Sequence, residues 1–249
     1  MRLRLARSAG PFLLASLFLT TCLPHFRRPP QVTPTQGTPL PVRTLRDLSD
    51  LFPSNPTSYT APYPFSIRSE GIATLNVPSG EVIVSDLFFG TLTGPLTRRV
   101  QPGDYPVSLS LISEEGQPWE SVGAAKLQFS SNPPVSWELA LLPGQDPNIL
   151  MPGEFFYYPV DSGTASFSSP MASDALSARL DADPGYLDEM TGSWGSIVPD
   201  PSSSLNVVFF SSGYGDGRYA SYWGLDVVGD PVCLVTDFRL VDIEHLPRQ

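Results

Sequence analysis

Short β-prone runs recur along this chain from residue 67 onward and restrict its fold more than any other feature of the sequence. They follow one another at intervals of roughly ten residues, and turn residues such as Pro78-Ser-Gly80 separate them. No alternation of strand and helix patterns accompanies them. The pattern therefore predicts a mainly β protein, either an antiparallel sandwich or a partly open barrel. The runs are 72–77, 81–89, 105–112, 122–130, 135–142, 154–160, 163–168, 205–211, 219–228 and 232–241.

One internal segment departs from the β pattern. Residues 169–180 predict a short helix, because Ser169 can cap its N-terminus and Pro170 suits the first helical position. The polar stretch that follows, residues 181–204, is expected to be a long connection, either a functional loop or a disordered one.

The last two β-prone runs predict a hairpin whose register can be assigned. With Val228-Gly-Asp-Pro231 as the turn, residue 226 pairs with Cys233 and residue 222 with residue 237. Cys233 is expected to be a small buried hydrophobic side chain in this hairpin.

The N-terminus has the features of an export signal. Arginines precede an apolar stretch over residues 10–20, which predicts a signal peptide over residues 1–21. The following Leu19-Thr-Thr-Cys22 resembles the lipobox of bacterial lipoproteins, in which the cysteine is lipidated and becomes the first mature residue. We therefore expect lipidation of Cys22, and a lipoprotein of the cell membrane or outer membrane that faces the periplasm or the exterior. Plain secretion and a retained N-terminal anchor stay open as alternatives.

A proline-rich tether is predicted over residues 22–64, because proline interrupts regular structure throughout this stretch. Leu45, Leu48 and Phe52 lie at helical spacing within it, so residues 44–52 are a candidate short helix. A single β-rich domain is expected over residues 65–245.

Charge and histidine content exclude several functions. The chain carries a net charge of −10, and a mature chain that begins at Cys22 would lose three arginines and no acidic residue, which gives −13. Such a protein repels phosphate backbones, so nucleic acid is not an expected partner. The only histidines, His25 and His245, lie in the tether and the C-terminal tail, so catalysis or zinc binding through imidazole is not expected.

The stretch between residues 205 and 226 contains the most distinctive loop. Gly213, Gly215 and Gly217 flank Tyr214 and Asp216, and glycine allows the sharp bends and close approaches that ligand loops use. We expect Tyr214 to be exposed beside Asp216, where it could contact a sugar or a peptide.

Aspartates at strand ends are the remaining chemical groups, and three interpretations of them stay open. They cap backbone amides in tight turns, or they bind a ligand or Ca²⁺, which prefers oxygen ligands, or two of them act as acid and base, or as acid and nucleophile, on a glycosidic bond. The candidates for ligand contact or turn capping are Asp161, Ser162, Asp216, Gly215, Gly217, Tyr214 and Asp226. The candidate calcium ligands are Asp86, Asp161 and Asp216.

An ordered set of motifs extends over roughly residues 70–240. Its members are Pro78 to Asp86, Gln101 to Val107, Ala124 to Phe129, Trp137 to Ala140, Val160-Asp-Ser-Gly163, Ser211 to Gly217, Tyr222 to Asp226 and Leu234 to Phe238. In this order they resemble a bacterial family known as domain of unknown function 4241, which carries a Gly-Asp-Gly signature. No activity is established for that family, so the resemblance implies domain limits and no mechanism.

We therefore expect an exported, lipid-anchored β domain that is a non-catalytic binding or structural module, with a ligand or metal site near the Gly-Asp-Gly loop. Besides the membrane, the expected partner is an unidentified small molecule, glycan or protein, and no cofactor is expected apart from the candidate Ca²⁺. The alternative is a carboxylate-dependent, glycosidase-like hydrolase acting on envelope glycan. An enzyme requires two of Asp161, Asp216 and Asp226 to face one pocket that solvent reaches.

Overall fold

Two antiparallel sheets pack face to face in the computed structural model, which describes residues 45–60, 64–89, 93–188 and 190–241. All of these residues belong to one compact unit, residues 39–249. The sequence prediction of a mainly β fold with one internal helix is confirmed, and of its two architectures the sandwich is the one adopted. The strands of the described residues are, in chain order, β1 (Thr57–Tyr59), β2 (Phe65–Val77), β3 (Ile83–Asp86), β4 (Gly103–Glu114), β5 (Glu120–Gln128), β6 (Ser136–Leu139), β7 (Tyr158–Val160), β8 (Thr164–Ser168), β9 (Trp194–Ile197), β10 (Val207–Ser211), β11 (Gly217–Leu225) and β12 (Pro231–Asp237).

The large sheet has the order β1-β2-β4-β5-β12-β11-β6, and β7 pairs with the N-terminal part of β11 beside β6. The small sheet has the order β3-β8-β10-β9. Between them lies the main core, to which the large sheet contributes Leu109, Leu127 and Trp223 and the small sheet contributes Phe167 and Phe210. These side chains alternate with outward-facing ones along each strand, as period-two strands in a sandwich require.

The outer faces of both sheets are also covered. Helix α1 (Pro170–Ala182) packs Leu176 on the small sheet, and its N-cap is Ser169, whose side chain accepts a hydrogen bond from the Ala172 amide. A 3₁₀-helix over Leu45–Leu51 buries Leu48 and Leu51 on the large sheet. This second contact lies in the segment predicted to be a tether. No helix among the described residues is both long and apolar enough to cross a membrane.

The predicted register of the last hairpin is wrong by two residues. Tyr222 pairs with Val235 and Gly224 with Cys233, where the sequence predicted Asp237 opposite residue 222. The turn is longer than predicted because the Asp226 side chain accepts hydrogen bonds from two amides of the turn, those of Val228 and Asp230, each at 3.0 Å. A shift of two residues keeps every side chain on its predicted face, so Cys233 is buried as expected.

Candidate functional site

Segments from three distant parts of the sequence meet at one end of the sandwich. Strand β3 ends there, β7 turns into β8, and β10 turns into β11. We call this end the rim and define it as residues 86–89, 161–163 and 212–217. The rim therefore unites the Asp86, Val160-Asp-Ser-Gly and Gly-Asp-Gly motifs.

Asp86 holds the rim together from below. Its side chain is 4% exposed, and Oδ2 accepts hydrogen bonds from the amides of Asp161 and Ser162, both at 2.9 Å. Oδ1 accepts a third bond from the Phe88 amide at 2.8 Å. Hydrogen bonds to an ionised carboxylate are stronger than those between neutral groups. The buried charge is therefore compensated by backbone donors, and it fixes the β7–β8 turn against the end of β3.

The turn at 161–163 and the loop at 212–217 are in direct contact. The Ser212 amide donates to the Gly163 carbonyl at 3.1 Å. Gly163 has a positive φ of 68°, and a Cβ atom placed on it would lie 3.7 Å from Gly215 Cα. The left-handed backbone at Gly163 thus brings the two segments into van der Waals contact.

Tyr219 stabilises the glycine loop from inside. Its hydroxyl lies 3.0 Å from the Ser212 carbonyl and 2.7 Å from the Gly215 carbonyl, to which it donates. Ser212 Oγ donates to the same Gly215 carbonyl at 2.8 Å. Burial raises the pKa of the Tyr219 phenol, so the hydroxyl keeps its proton and stays a donor. The loop that carries Asp216 is therefore held in one conformation by side chains of its own strand and turn.

Asp161 and Asp216 lie next to each other, one on the 161–163 turn and the other on the 212–217 loop. The last pair of the β7–β11 ladder is Val160 with Gly217, and the two aspartates are the next residues beyond it. Both are exposed, and neither carboxylate makes a hydrogen bond or ion pair with another described residue. Asp86 accepts the amide hydrogen bonds of the 161–163 turn, and the Ser212 and Tyr219 hydroxyls donate to the Gly215 carbonyl of the 212–217 loop, so neither exposed aspartate caps its own turn.

Exposed aromatic side chains lie on the same rim segments as the two carboxylates. Tyr214 is 78% exposed, and its hydroxyl donates to Glu114 Oε1 at 3.1 Å. Phe88 and Phe89 are exposed as well, because β3 ends at Asp86 and not at residue 89 as the sequence predicted. The bond from the Phe88 amide to Asp86 turns the chain out of the sheet at this point.

The structure separates one candidate from the others. Asp226 lies at the far end of β11, where it caps the β11–β12 turn and also accepts a bond from Asn132 Nδ2 at 3.2 Å. Hydrogen bonds, first that from the Asp230 amide, hold the pKa of Asp226 below its ordinary value. The rim brings together the remaining candidates, which are Asp86, Asp161, Ser162, Tyr214, Gly215, Asp216 and Gly217.

No group of three or more His, Cys, Asp or Glu side chains that could hold a metal ion is found in the described part of the chain. Both oxygens of Asp86 are already bound by amides, so this candidate calcium ligand is occupied by the protein itself. Calcium takes six to eight oxygen ligands, of which Asp161 and Asp216 could supply only part.

Sequence reasoning missed two features of the rim. The bracing role of Asp86 depends on amides 75 and 76 residues further along the chain, and no local pattern reports such a partner. The exposure of Phe88 and Phe89 was hidden by their β-prone composition. One local signal does mark the end of β3. An aspartate such as Asp86 can accept a hydrogen bond from the amide two residues further on, here that of Phe88.

Comparison with known proteins gives one result. A family model described as "Protein of unknown function (DUF4241)" matches residues 75–236, which run from β2 to β12. Neither a curated protein nor a solved structure matches the chain.

Proposed function

Because the chain belongs to the family of proteins of unknown function DUF4241, and the matched segment contains the whole rim, we propose that it is an exported, lipid-anchored binding module. In this proposal the rim binds a basic segment of a protein partner and does no chemistry on it. The signal peptide over residues 1–21 and the lipidation site at Cys22 lie outside the described residues, and they rest on the sequence pattern alone.

The division of roles among the three aspartates carries the proposal. Asp86 is buried and accepts three backbone hydrogen bonds, whereas the carboxylates of Asp161 and Asp216 make no hydrogen bond with a described residue. Two neighbouring carboxylates create a local negative potential that favours a cationic group. The nearest arginine along the chain, Arg218, lies over the Tyr157 ring at 4.9 Å and forms no ion pair with a described residue. The negative charge of the rim therefore remains available to a partner.

The aromatic surroundings favour an arginine or lysine side chain over a metal ion. Exposed Tyr214, Phe88 and Phe89 offer ring faces and apolar surface on the rim segments. A guanidinium or ammonium group interacts with both kinds of surface, through ion pairing and cation–π contact. Calcium would bind the carboxylate oxygens and make no use of the aromatic rings. It is therefore the second ligand to be tested.

The hydrolase alternative stays a prediction. The structure does place two of its three candidate aspartates, Asp161 and Asp216, at one end of the sandwich. Both are exposed, however, and the cavities of about 20 and 470 Å³ in the described part of the chain are lined by other residues. A site that excludes water would strengthen electrostatic catalysis, and an exposed pair lacks that advantage.

A titration with a short arginine-rich peptide at low ionic strength tests the proposal. The Asp161→Asn, Asp216→Asn double variant should bind the peptide about three- to thirtyfold more weakly, as expected for the loss of two exposed charge pairs. The matched control is Asp174→Asn, Asp181→Asn, which changes two exposed aspartates of α1 and raises the net charge by the same amount.

Equal weakening in both double variants would show that only net charge matters, and would reject the rim as a binding site. Titration of the same three proteins, the wild type and the two double variants, with CaCl₂ decides whether a metal ion competes for the carboxylates. If the wild type releases reducing sugar from envelope glycan and the rim variant does not, the protein is a hydrolase and not a binding module.

A further inference from the structure

Two arginines close to the rim have no acidic partner among the described residues. Arg218 follows the rim residue Gly217 in β11, and Arg239 comes two residues after the end of β12. Both side chains are exposed, and neither guanidinium group forms a hydrogen bond or an ion pair with a described residue. The chain carries a net charge of −10, so this lack of partners is not caused by a shortage of carboxylates. The other arginines whose side chains are described each form an ion pair; they are Arg68, Arg98, Arg99 and Arg179.

Aromatic rings support both guanidinium groups. Arg218 Cζ lies 4.9 Å from the centre of the Tyr157 ring, and Arg239 Cζ lies 5.2 Å from the centre of the Phe155 ring. The two rings contact each other edge to face, with centroids 6.4 Å apart and planes at 77°. A cation–π contact uses the charge of a guanidinium group but does not require its N–H donors. The arginines are therefore held in place while their donors remain available to a ligand.

The strands bring the two arginines to the same end of the large sheet. Ala220 pairs with Asp237 in the β11–β12 ladder, and Arg218 and Arg239 each lie two residues beyond that pair. Arg218 shares a face of β11 with Ala220, which belongs to the cluster on the outer face of the sheet. Phe155 packs against the same cluster. The arginine pair therefore lies on the outer face of the large sheet, next to the rim.

The backbone at Arg239 is in an unfavourable conformation. Its φ of 58° is the only positive φ at a non-glycine position among the described residues. The buried Asp237 holds this conformation, because its Oδ1 accepts a hydrogen bond from the Arg239 amide at 2.8 Å. Glycine would adopt this φ without steric cost. Backbone strain of this kind is concentrated at functional sites, so a side chain kept here at a cost in stability points to a role in binding.

The donors of the arginine pair define the chemistry of its ligand. A guanidinium group presents parallel N–H donors that match the two oxygens of one carboxylate, so two guanidinium groups suit two carboxylates. Side chains on alternate residues of an extended peptide are about 6.6 Å apart. The rings that support the arginines have nearly the same separation, 6.4 Å.

From these observations we propose that Arg218 and Arg239 bind an extended acidic segment of a protein, in which one residue separates two acidic residues. Each guanidinium group pairs with one carboxylate of the segment. The site lies beside the rim but takes a ligand of the opposite charge, so it does not depend on the function proposed for the rim.

Fluorescence anisotropy with a labelled peptide tests the proposal. The peptide carries Asp-Thr-Asp between neutral residues and is titrated with the protein at low ionic strength. The Arg218→Gln, Arg239→Gln double variant should bind it about three- to thirtyfold more weakly, as expected for the loss of two exposed ion pairs. The matched control is Arg99→Gln, Arg179→Gln, which removes two exposed arginines elsewhere and changes the net charge by the same amount. Equal weakening in both double variants would overturn the proposal.

Two competitors test the identity of the ligand. An unlabelled peptide with adjacent aspartates should compete more weakly than Asp-Thr-Asp, because neighbouring side chains of an extended chain point to opposite sides. Sodium phosphate should displace the labelled peptide no better than sodium chloride of equal ionic strength. Stronger displacement by phosphate would identify a phosphate site and reject the acidic segment as the ligand.

Arg239→Gly separates binding from a structural role. Because glycine suits the positive φ, this variant should keep the melting temperature of the wild type or raise it, while its affinity for the peptide falls. A lower melting temperature with unchanged affinity would show that Arg239 only covers Phe155, and would overturn the proposal. The rim double variant should bind the acidic peptide at least as tightly as the wild type, because it lacks two negative charges of the neighbouring rim.

Discussion

Three aspartates of identical chemistry differ at the rim only in their surroundings. Asp86 accepts three backbone hydrogen bonds in the interior, whereas Asp161 and Asp216 end in solvent. The amide of Asp161 donates to Asp86, so the same residue serves the frame with its backbone and faces outward with its side chain. At the scale of single residues, this hydrogen bond therefore couples the buried Asp86 to the exposed surface that carries Asp161.

Replacing Asp86 should destabilise the whole domain. Asp86→Asn keeps the shape of the side chain but turns one acceptor oxygen into an N–H₂ group that faces amide donors. We expect the free energy of unfolding to fall by about 1–3 kcal/mol, the cost of leaving a buried donor unsatisfied. Urea denaturation measures the difference, and Asp104→Asn is the control, since Asp104 is exposed. Equal stability of Asp86→Asn and wild type would contradict the bracing role.

Tyr158 should make the domain lose stability at high pH. Burial raises the pKa of its phenol above the ordinary value of about 10, because the charged form is poorly solvated inside the sandwich. The contribution is complete below the unfolded pKa and is lost as the pH rises through that value towards the folded pKa, by about 1.4 kcal/mol per pH unit. Urea midpoints measured against pH should fall above about pH 10, and less steeply for Tyr158→Phe. An identical slope in the two proteins would refute the assignment.

The exposure or burial of a residue was predicted well where it depends on the neighbouring residues in the sequence. Tyr214 was expected to be exposed because it lies between glycines in a loop, and Cys233 was expected to be buried because apolar neighbours surround it; both expectations are confirmed. The role of Asp86 depends on partners far away in the chain. No pattern of neighbouring residues encodes it, so it required the three-dimensional structure.

The sequence predicted α1 correctly because its start has a local signal. It did not predict β9 or the register of the last hairpin, which depend on contacts with other segments. The sequence predicted Ser169 as the N-cap of α1 and Pro170 as its first residue, and both predictions are confirmed. Strand β9 was missed, because Trp194-Gly-Ser-Ile197 is short, lacks a run of β-prone residues and pairs with β10. The last hairpin was given the right strands but the wrong register, since hydrogen bonds to Asp226 lengthen the turn.

The pairing of β11 with β12 offers a test of packing between elements. A Cβ atom on Gly224 would lie 2.7 Å from Cys233 Sγ and 3.0 Å from Pro134 Cβ. Gly224→Ala should therefore lower the free energy of unfolding by about 1–3 kcal/mol through overpacking. In β2, a Cβ atom on Gly71 would meet no atom within 4 Å, so Gly71→Ala should change stability by no more than about 0.5 kcal/mol.

A second substitution separates overpacking from backbone effects at this position. Cys233→Ala removes the sulfur that the new methyl group would meet, so it should cost less in the Gly224→Ala background than in wild type. Additive effects of the two substitutions in thermal unfolding would mean that the sulfur is not the obstacle.

For the whole molecule, the spacing of β-prone runs predicted an antiparallel sandwich or a partly open barrel, and the structure has the two sheets of a sandwich. The extra layer on the large sheet was not predicted. Proline-rich composition indicated a tether with a candidate short helix over residues 44–52, and a 3₁₀-helix does form over Leu45–Leu51. Its burial was not predicted: Leu48 and Leu51 lie in a cluster on the outer face of the sheet, with Tyr59 and the partly buried Phe52.

The proposed attachment to a membrane concerns the complete chain and can be tested in cells. Cells of a bacterial host that express the full chain are grown with an azido-fatty acid, and the purified protein should carry the label. Cys22→Ser should abolish the label, because this cysteine is the proposed acceptor, while Cys233→Ser should keep it. Label that persists in Cys22→Ser, or that is missing from the wild type, would reject the lipid anchor.

Asp86 is the buried brace of the rim, and the two other aspartates of the rim face solvent. Carbodiimide coupling of glycine ethyl ester to carboxyl groups, followed by peptide mass spectrometry, measures the accessibility of each aspartate in the folded protein. Asp161 and Asp216 should be modified rapidly in the native state, and Asp86 only after unfolding in urea. Modification of native Asp86 at the rate of Asp161, or protection of both Asp161 and Asp216, would contradict the account.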